Sequence, residues 1–464
     1  MVFSSLLFLT LFLPVTLFLH DLLPRRYQNA LLLAASLIFY AWGEPKHIFL
    51  MLLTSLYIWG FALAVEKYRR EENFSRAKLL TVTGVVLSLG TLGYFKYFGF
   101  LTENLPFLGH FSAPALPIGI SFYTFQALSY LIDVYRGTVK AQKSPVNFAM
   151  YLSFFPQLIA GPIVRYSDVE QQITRRRITA NKRSRGAVRF VTGLAKKVLL
   201  ANQIGLVWTE LSGMNQLSML GAWLGAVAFA FQIYFDFSAY SDMAIGMGLM
   251  FGFRFPENFQ YPYQSASVSE FWRRWHITLG SWFREYVYIP LGGNRKGARR
   301  QILNLLIVWA LTGLWHGAAW QFVLWGLYYF CFLTLEKFVL RPVLEKAPGW
   351  LCHLYTLLVV LFGWVIFACP DVETAMGFYR AMLGIGVPLA DDAARFALSG
   401  NRSLLLILAV GATALPSNLL RSARSRLDPV PLRRVIYAAS FLLVFVSLAF
   451  LVADSYNPFL YFRV

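Results

Sequence analysis

An all-α, polytopic membrane protein is the fold class this sequence predicts, and three observations carry that prediction. Of its residues 57% are hydrophobic and only 14% charged, where a soluble domain carries about a quarter charged residues. Apolar runs close to the ~20 residues needed to cross a bilayer recur from one end of the chain to the other. The excess of positive charge, 42 Lys+Arg against 23 Asp+Glu, is gathered in short loops between those runs, as the positive-inside rule expects. No aromatic-basic nucleic-acid signature accompanies it, so the expected partner is the lipid bilayer and not a nucleic acid. One membrane-embedded domain is expected, with N-terminal spans in 1–115, a motif-bearing core in 116–340 and C-terminal spans in 341–464.

The spans read, in order, near 3–20, 27–42, 48–65, 79–95, 116–132, 187–208, 218–250, 302–319, 320–340, 351–369, 403–420 and 435–453. That is about 11–12 crossings. The first run lacks a basic n-region and a small-x-small cleavage site, so it reads as a retained span and not a signal peptide. Basic clusters fall at Arg25-Arg26, Lys67 to Lys78, Arg136 to Lys143, Arg165 to Arg189, Arg254 to Arg300, Lys337 to Lys346 and Arg421 to Arg434. Alternate loops are poor in basic residues, and 370–402 carries Asp371, Glu373, Asp391 and Asp392. Placing the basic loops in the cytoplasm puts both termini outside.

Two stretches do not fit the span pattern. Residues 147–164 lie between basic loops, and a full crossing would put one of them on the wrong face. A re-entrant hairpin broken at Pro156 and at Gly161-Pro162 resolves this, and implies a cavity open to one face. Residues 251–300 are aromatic and basic but too polar to span. Within them Ser267 at N-cap and Glu270 at N3 mark a helix start, and the helix would lie at the membrane surface or dip into the protein.

Of six histidines, His20, His47, His110 and His353 sit at span ends or in loops and read as interfacial. His316 is different. If its helix enters near Leu303, it lies about 20 Å into a core of about 30 Å. A titratable group at that depth is costly unless it faces a partner or a water-filled cavity, which makes function the leading explanation over a hydrogen bond between helices. Gly313 and Gly317 bracket it and would let backbone or substrate approach. His276, in Arg273-Arg274-Trp275-His276, divides evenly between packing and function when taken alone. Two histidines admit a base and an assisting group but fall short of a zinc site. The cysteines Cys331, Cys352 and Cys369 show no metal or disulfide spacing. Gly292, Gly293 and Gly297, among Asn294, Arg295 and Lys296, are either a phosphate cradle or a basic turn. Asp133 ends a span, while Asp236 and Asp242 lie among aromatics. Asp236 must be paired, protonated or wetted there, with a structural partner such as Arg or Tyr favoured over catalysis.

WRRWHITLGSWFREYVYIPLGGNR (272–295) followed by LTGLWHGAAW (311–320) resembles the membrane-bound O-acyltransferases, and within them the bacterial polysaccharide O-acetylation branch. LPIGISFYTFQALSYLIDVYRG (116–137), FFPQLIAGPIVRY (154–166) and QIYFDFSAYSDMAIG (232–246) resemble the same branch, so the likeness covers most of 1–340. The resemblance implies a ring of helices around a thinned centre, with a tunnel joining a cytoplasmic donor to an extracytoplasmic acceptor. It places the family's essential histidine at His316 and a second functional one at His276. It further implies a bacterial inner-membrane location, and work alongside periplasmic or membrane-anchored partner acetyltransferases and a polysaccharide synthase or export complex. The expected donor is acetyl-CoA, as substrate and not bound cofactor, and the acceptor a polymer such as alginate or cellulose. His316 would be the general base, with His276 or a backbone amide meeting the oxyanion. Arg273, Arg274, Arg295 and Lys296 would attract the donor's phosphates, with Trp275, Asn294, Trp315 and Asp236 as further candidates for binding it. The rival classes are D-alanyl or other acyl transfer, a transporter or flippase, and a non-catalytic scaffold. The broken and polar elements lack counterparts after residue 340, which argues against a transporter.

Overall fold

The computed structural model describes residues 1–105, 114–214 and 216–453, and His110 lies outside them. Among the described residues the elements are helices joined by turns, with no strand. Among the described residues seven helices are long and apolar enough to cross a membrane: Ile48–Arg70, Phe74–Asn104, Ala180–Ser212, Met219–Met250, Trp320–Leu344, Gly349–Ala368 and Pro429–Ala453. An eighth would be Asp392–Gly400 with Arg402–Gly411, a pair bent by 60°. This is fewer than the eleven or twelve crossings expected, for local reasons. Arg25–Ala41 and Ile120–Arg136 are only 17 residues long, about 26 Å of helix. The first apolar run is a π-helical turn, Phe8–Phe12, leading into Leu13–Leu22. Gly297–His316 has the length but opens on a polar turn with Arg299, Arg300 and Gln301.

The described residues form two compact units. The first comprises Met1–Val191 with Tyr240–Glu257. In it Gly84 lets Ile48–Arg70 and Ile120–Arg136 close on Phe74–Asn104, since a β-carbon there would collide with Leu131 and press on Phe61. Residues 150–164 are buried throughout. They form two short helices, Pro145–Ser153 and Phe155–Leu158, broken at Phe154. The break therefore precedes Pro156 and does not fall on it: a proline in the first turn gives up an N–H that has no helical acceptor, so it starts the second helix. Tyr151 donates its hydroxyl to the Val164 carbonyl at 3.0 Å, and the Gln157 amide donates to the Tyr151 carbonyl at 2.6 Å. Such bonds are what non-helical backbone needs at membrane depth. Asp242 pairs with Arg189 at 2.9 Å, and the same guanidinium reaches Glu257 at 2.5 Å.

The second unit comprises Thr192–Ala239 with the chain from Asn258 onward. Its outer helices Val372–Met382 and Asp392–Gly400 are each capped by an aspartate, Asp371 and Asp391. They join Met219 and Leu220 through backbone bonds to Pro388 and Leu389. Phe378, Ala381 and Met382 then pack with Ala222, Ala226 and Val365 in an apolar cluster. In this unit the polar stretch that carries His276 packs against the helix that ends on His316, through Trp272 on Trp309 and His276 on Trp315.

Candidate active site

The His276 segment is too polar to be held by apolar burial alone, and side chains grip it from several sides. Ser267 caps Val268–Arg274, its hydroxyl accepting the Glu270 N–H at 3.0 Å. Glu270 turns back as the sequence suggests, but accepts from the Ala266 N–H at 2.9 Å instead of from Ser267, and also pairs with Arg274 at 2.5 Å. The first two amides of the helix, Val268 and Ser269, donate to the two carboxylate oxygens of Glu336 at 2.7 and 2.8 Å. Glu336 is buried, so these bonds form out of reach of bulk water. His353 bonds the Ser265 carbonyl at 3.0 Å. It serves as a clamp on this segment, beyond the interfacial role expected of it.

That helix ends at Arg274, and His276, two residues on, is the N-cap of the next helix, Ile277–Phe283, with φ 41° and ψ 53°. A non-glycine residue in this left-handed region is strained by about 1–3 kcal/mol and persists only where its surroundings impose it. Asn258 does so. Its carbonyl accepts the Ile277 N–H at 3.0 Å, while its side-chain oxygen meets His276 Nδ1 at 3.0 Å and the Thr278 hydroxyl and N–H at 2.9 and 3.3 Å. The imidazole is 2% exposed and packs edge-on against Phe237 at 4.7 Å. Burial pushes its pKa down to about 3, so the ring is neutral.

His316 is the last residue of Gly297–His316 and is 5% exposed. The helix begins several residues before the entry point assumed from sequence and stops at the histidine, which sits at a helix terminus and not within a turn. Gly313 and Gly326 bring this helix close against Trp320–Leu335: a β-carbon at Gly313 would strike the Phe322 carbonyl, and one at Gly326 the Trp309 carbonyl. The space beside Gly317 is taken by the Phe322 ring. These glycines therefore admit backbone and ring, as in close helix packing within membranes. The His316 ring contacts Trp315 and Trp325, each at 5.0 Å, and Phe367 at 5.3 Å. Trp315 lies 5.9 Å from His276, so the one indole touches both imidazoles.

A cavity of about 210 Å³ opens beside this pair, lined by Trp272, Trp275, His276, Leu279, Trp309 and Thr312 among others. Arg284 and Tyr288 also line it, and Arg284 is exposed to solvent. Of the two histidines only His276 is among the lining residues; Thr312 and Trp309 bring the His316 helix to the wall one and two turns earlier. The walls are chiefly aromatic, with few polar groups.

The other candidates divide clearly. Trp275 lines the cavity and Trp315 bridges the histidines. Arg274 is engaged by Glu270, and Arg273 is exposed beside it. Asn294, Arg295 and Lys296 are exposed in the turn before Gly297–His316, where Asn304 donates to the Gly293 carbonyl at 2.9 Å. Gly292, Gly293 and Gly297 all have positive φ, which fits a tight basic turn. Asp236 forms an ion pair with Lys197 at 2.7 Å, the two side chains 3% and 2% exposed. Its partner is a lysine, where Arg or Tyr was expected, and Asp236 is absent from the cavity wall. Among the described residues no three His, Cys, Asp or Glu side chains gather as a metal site. Sequence reasoning missed Asn258, Arg284, Tyr288 and Glu336.

Comparison with known proteins gives a consistent result. The model of the MBOAT, membrane-bound O-acyltransferase, family matches residues 138–376, which include Asn258, both histidines and the whole cavity wall. A Pseudomonas putida protein named "Probable alginate O-acetylase AlgI" is 40% identical, with all of both chains covered. A Helicobacter pylori peptidoglycan O-acetyltransferase is 34% identical over 84% of this chain and 81% of its own. A Bacillus subtilis teichoic acid D-alanyltransferase is 27% identical over 58% of this chain and 74% of its own. The chain is a multi-pass membrane acyltransferase of the membrane-bound O-acyltransferase family.

Proposed function

We propose that this enzyme takes an acetyl group from acetyl-CoA at the cytoplasmic face and delivers it for O-acetylation of an exported polysaccharide. The observation that carries the reading is the pair of buried imidazoles that both contact Trp315, one of them on an aromatic cavity with Arg284 in its wall. Two relatives whose names state acetyl transfer to a polysaccharide or peptidoglycan are 40% and 34% identical over most of the chain, which favours acetyl over D-alanyl. Their bacterial sources and the basic loops suit the cytoplasmic membrane, with both termini outside. Partner acetyltransferases and a polysaccharide synthase or export complex would complete the system.

In this reading His316 is the general base. It takes the proton of the attacking hydroxyl as the oxygen bonds to the acyl carbon. The carbon–sulfur bond breaks, CoA leaves as thiolate, and the imidazolium returns the proton to sulfur. Arg284, exposed on the cavity wall, is well suited to draw in the donor's phosphates, joined by Arg273, Arg295 and Lys296 on the same basic surface stretch.

The test is transfer of radiolabel from acetyl-CoA to added alginate, acetate-free cellulose and peptidoglycan in membranes containing the chain and its genomic neighbours. Polymer-bound label that depends on this chain is the expected outcome. Transfer from a D-alanyl thioester but not from acetyl-CoA would replace the acetyl reading with its rival.

A further inference from the structure

The hydrogen bonds around Asn258 decide which nitrogen of His276 carries the proton. The Thr278 backbone N–H can only donate, and it points at one terminal atom of the Asn258 side chain at 3.3 Å. That atom must therefore be the amide oxygen, because an NH2 there would set donor against donor. The same oxygen stands 3.0 Å from His276 Nδ1. Oxygen accepts, so Nδ1 must bear the hydrogen, and in a neutral imidazole the lone pair is then on Nε2. The grip extends to the backbone. Ile277 donates to the Asn258 carbonyl at 3.0 Å, and this fixes the left-handed His276 whose ring lies in the cavity wall. The ring's flanks are set by Phe237 at 4.7 Å and Trp315 at 5.9 Å, which restrict its rotation.

We propose that Asn258 is a positioning residue that locks His276 as the Nδ1–H tautomer, so that His276 enters the reaction through Nε2 as a hydrogen-bond acceptor and not as the oxyanion donor. Such an acceptor suits an O–H or amide N–H of a substrate lying in the cavity. The developing oxyanion then falls to other donors, and His276 and His316 hold different duties. The proposal rests on the acyl-transfer reading for its kinetic consequences, but the tautomer itself does not depend on that reading.

The test uses the full chain in lipid nanodiscs, labelled with 15N-histidine, with His276→Asn identifying the His276 signals. The expected spectrum shows protonated Nδ1 and unprotonated Nε2 near neutral pH. A dominant Nε2–H form would overturn the proposal. Kinetics add a second arm. Asn258→Leu removes the acceptor and is expected to populate both tautomers and lower kcat about tenfold or more. Asn258→Asp restores an acceptor for Nδ1–H and for Thr278. It should recover part of that loss, and its negative charge should move the acid limb of the pH profile upward. An Asn258→Asp enzyme as impaired as Asn258→Leu, with an unmoved acid limb, would refute the lock. If Asn258→Leu fails to insert, the spectrum and the aspartate variant still decide. Absence of acetyl transfer by the unaltered protein would count against the proposed function, while the spectrum would decide the tautomer independently.

Discussion

Consider Lys197→Met. Lys197 and Asp236 are 2.7 Å apart with side chains 2% and 3% exposed, on two long apolar helices, Ala180–Ser212 and Met219–Met250. Lys197 falls in a π-helical turn, Lys196–Ala201, which shifts the register of its helix at that point. Removing one member of a buried pair leaves the other charge with its desolvation cost and without its partner, about 3–5 kcal/mol. Replacing both with apolar residues of similar volume is often neutral or favourable. Lys197→Met and Asp236→Leu should therefore each lower the unfolding midpoint strongly, and the double variant should recover most of the loss. Denaturant titration of the purified protein in mild detergent, followed by tryptophan fluorescence, measures this cycle. Single variants within about 0.5 kcal/mol of the parent would refute the buried pair as a stabilising unit. A double variant that is stable yet inactive would show that the Lys197–Asp236 pair has a part in the reaction, in addition to its structural one.

Three further outcomes follow from the site. Glu336→Gln keeps one acceptor for the Val268 and Ser269 amides but turns an NH2 toward the other, so loosening the helix that precedes His276. Its kcat should fall roughly tenfold with little loss of membrane insertion, and normal turnover would remove Glu336 from the support of the site. Gly313→Val would drive a side chain into the Phe322 carbonyl. Thermal scanning should show a large loss of stability, of about 3 kcal/mol or more, whereas a parent-like melt would contradict the glycine contact. Burial lowers the His276 pKa from 6.5 to about 3, so the unfolded chain binds the extra proton between those values. The contribution of this residue is thus complete above about pH 6.5 and declines as pH falls toward 3. His276→Phe should have a shallower acid loss of stability than the parent, and parallel curves would exclude this linkage.

What was legible in the sequence follows from how each signal is built. Long uninterrupted apolar runs announced Ile48–Arg70, Met219–Met250 and Gly349–Ala368, because length and hydropathy are summed over many residues. Ser267 and Glu270 announced their helix, since a cap is encoded locally. The break at Phe154 was misplaced onto Pro156 because proline both ends one helix and starts the next. Asn258 was not legible as a site residue. Its bond to His276 spans 18 positions of irregular chain, and no periodicity links the two. Glu336 and Lys197 lie inside the apolar runs 320–340 and 187–208, beside the basic neighbours Lys337 and Lys196, and a single charge in such a run does not reveal which partner it is buried against. Arg284 was passed over beside Arg273, Arg274 and Arg295, since composition cannot tell which arginine reaches a cavity wall. His316 was legible because an ionisable group at the end of an apolar helix has few inexpensive explanations.

The central claim is that His316 performs the acyl transfer. The most direct measurement is single-turnover transfer of labelled acetyl from acetyl-CoA by the nanodisc-embedded chain, supplied with its acceptor, for the parent and His316→Gln. Loss of a general base predicts a rate lower by about 10²–10⁴-fold with folding and donor binding retained. Transfer by His316→Gln at the parental rate would contradict the account.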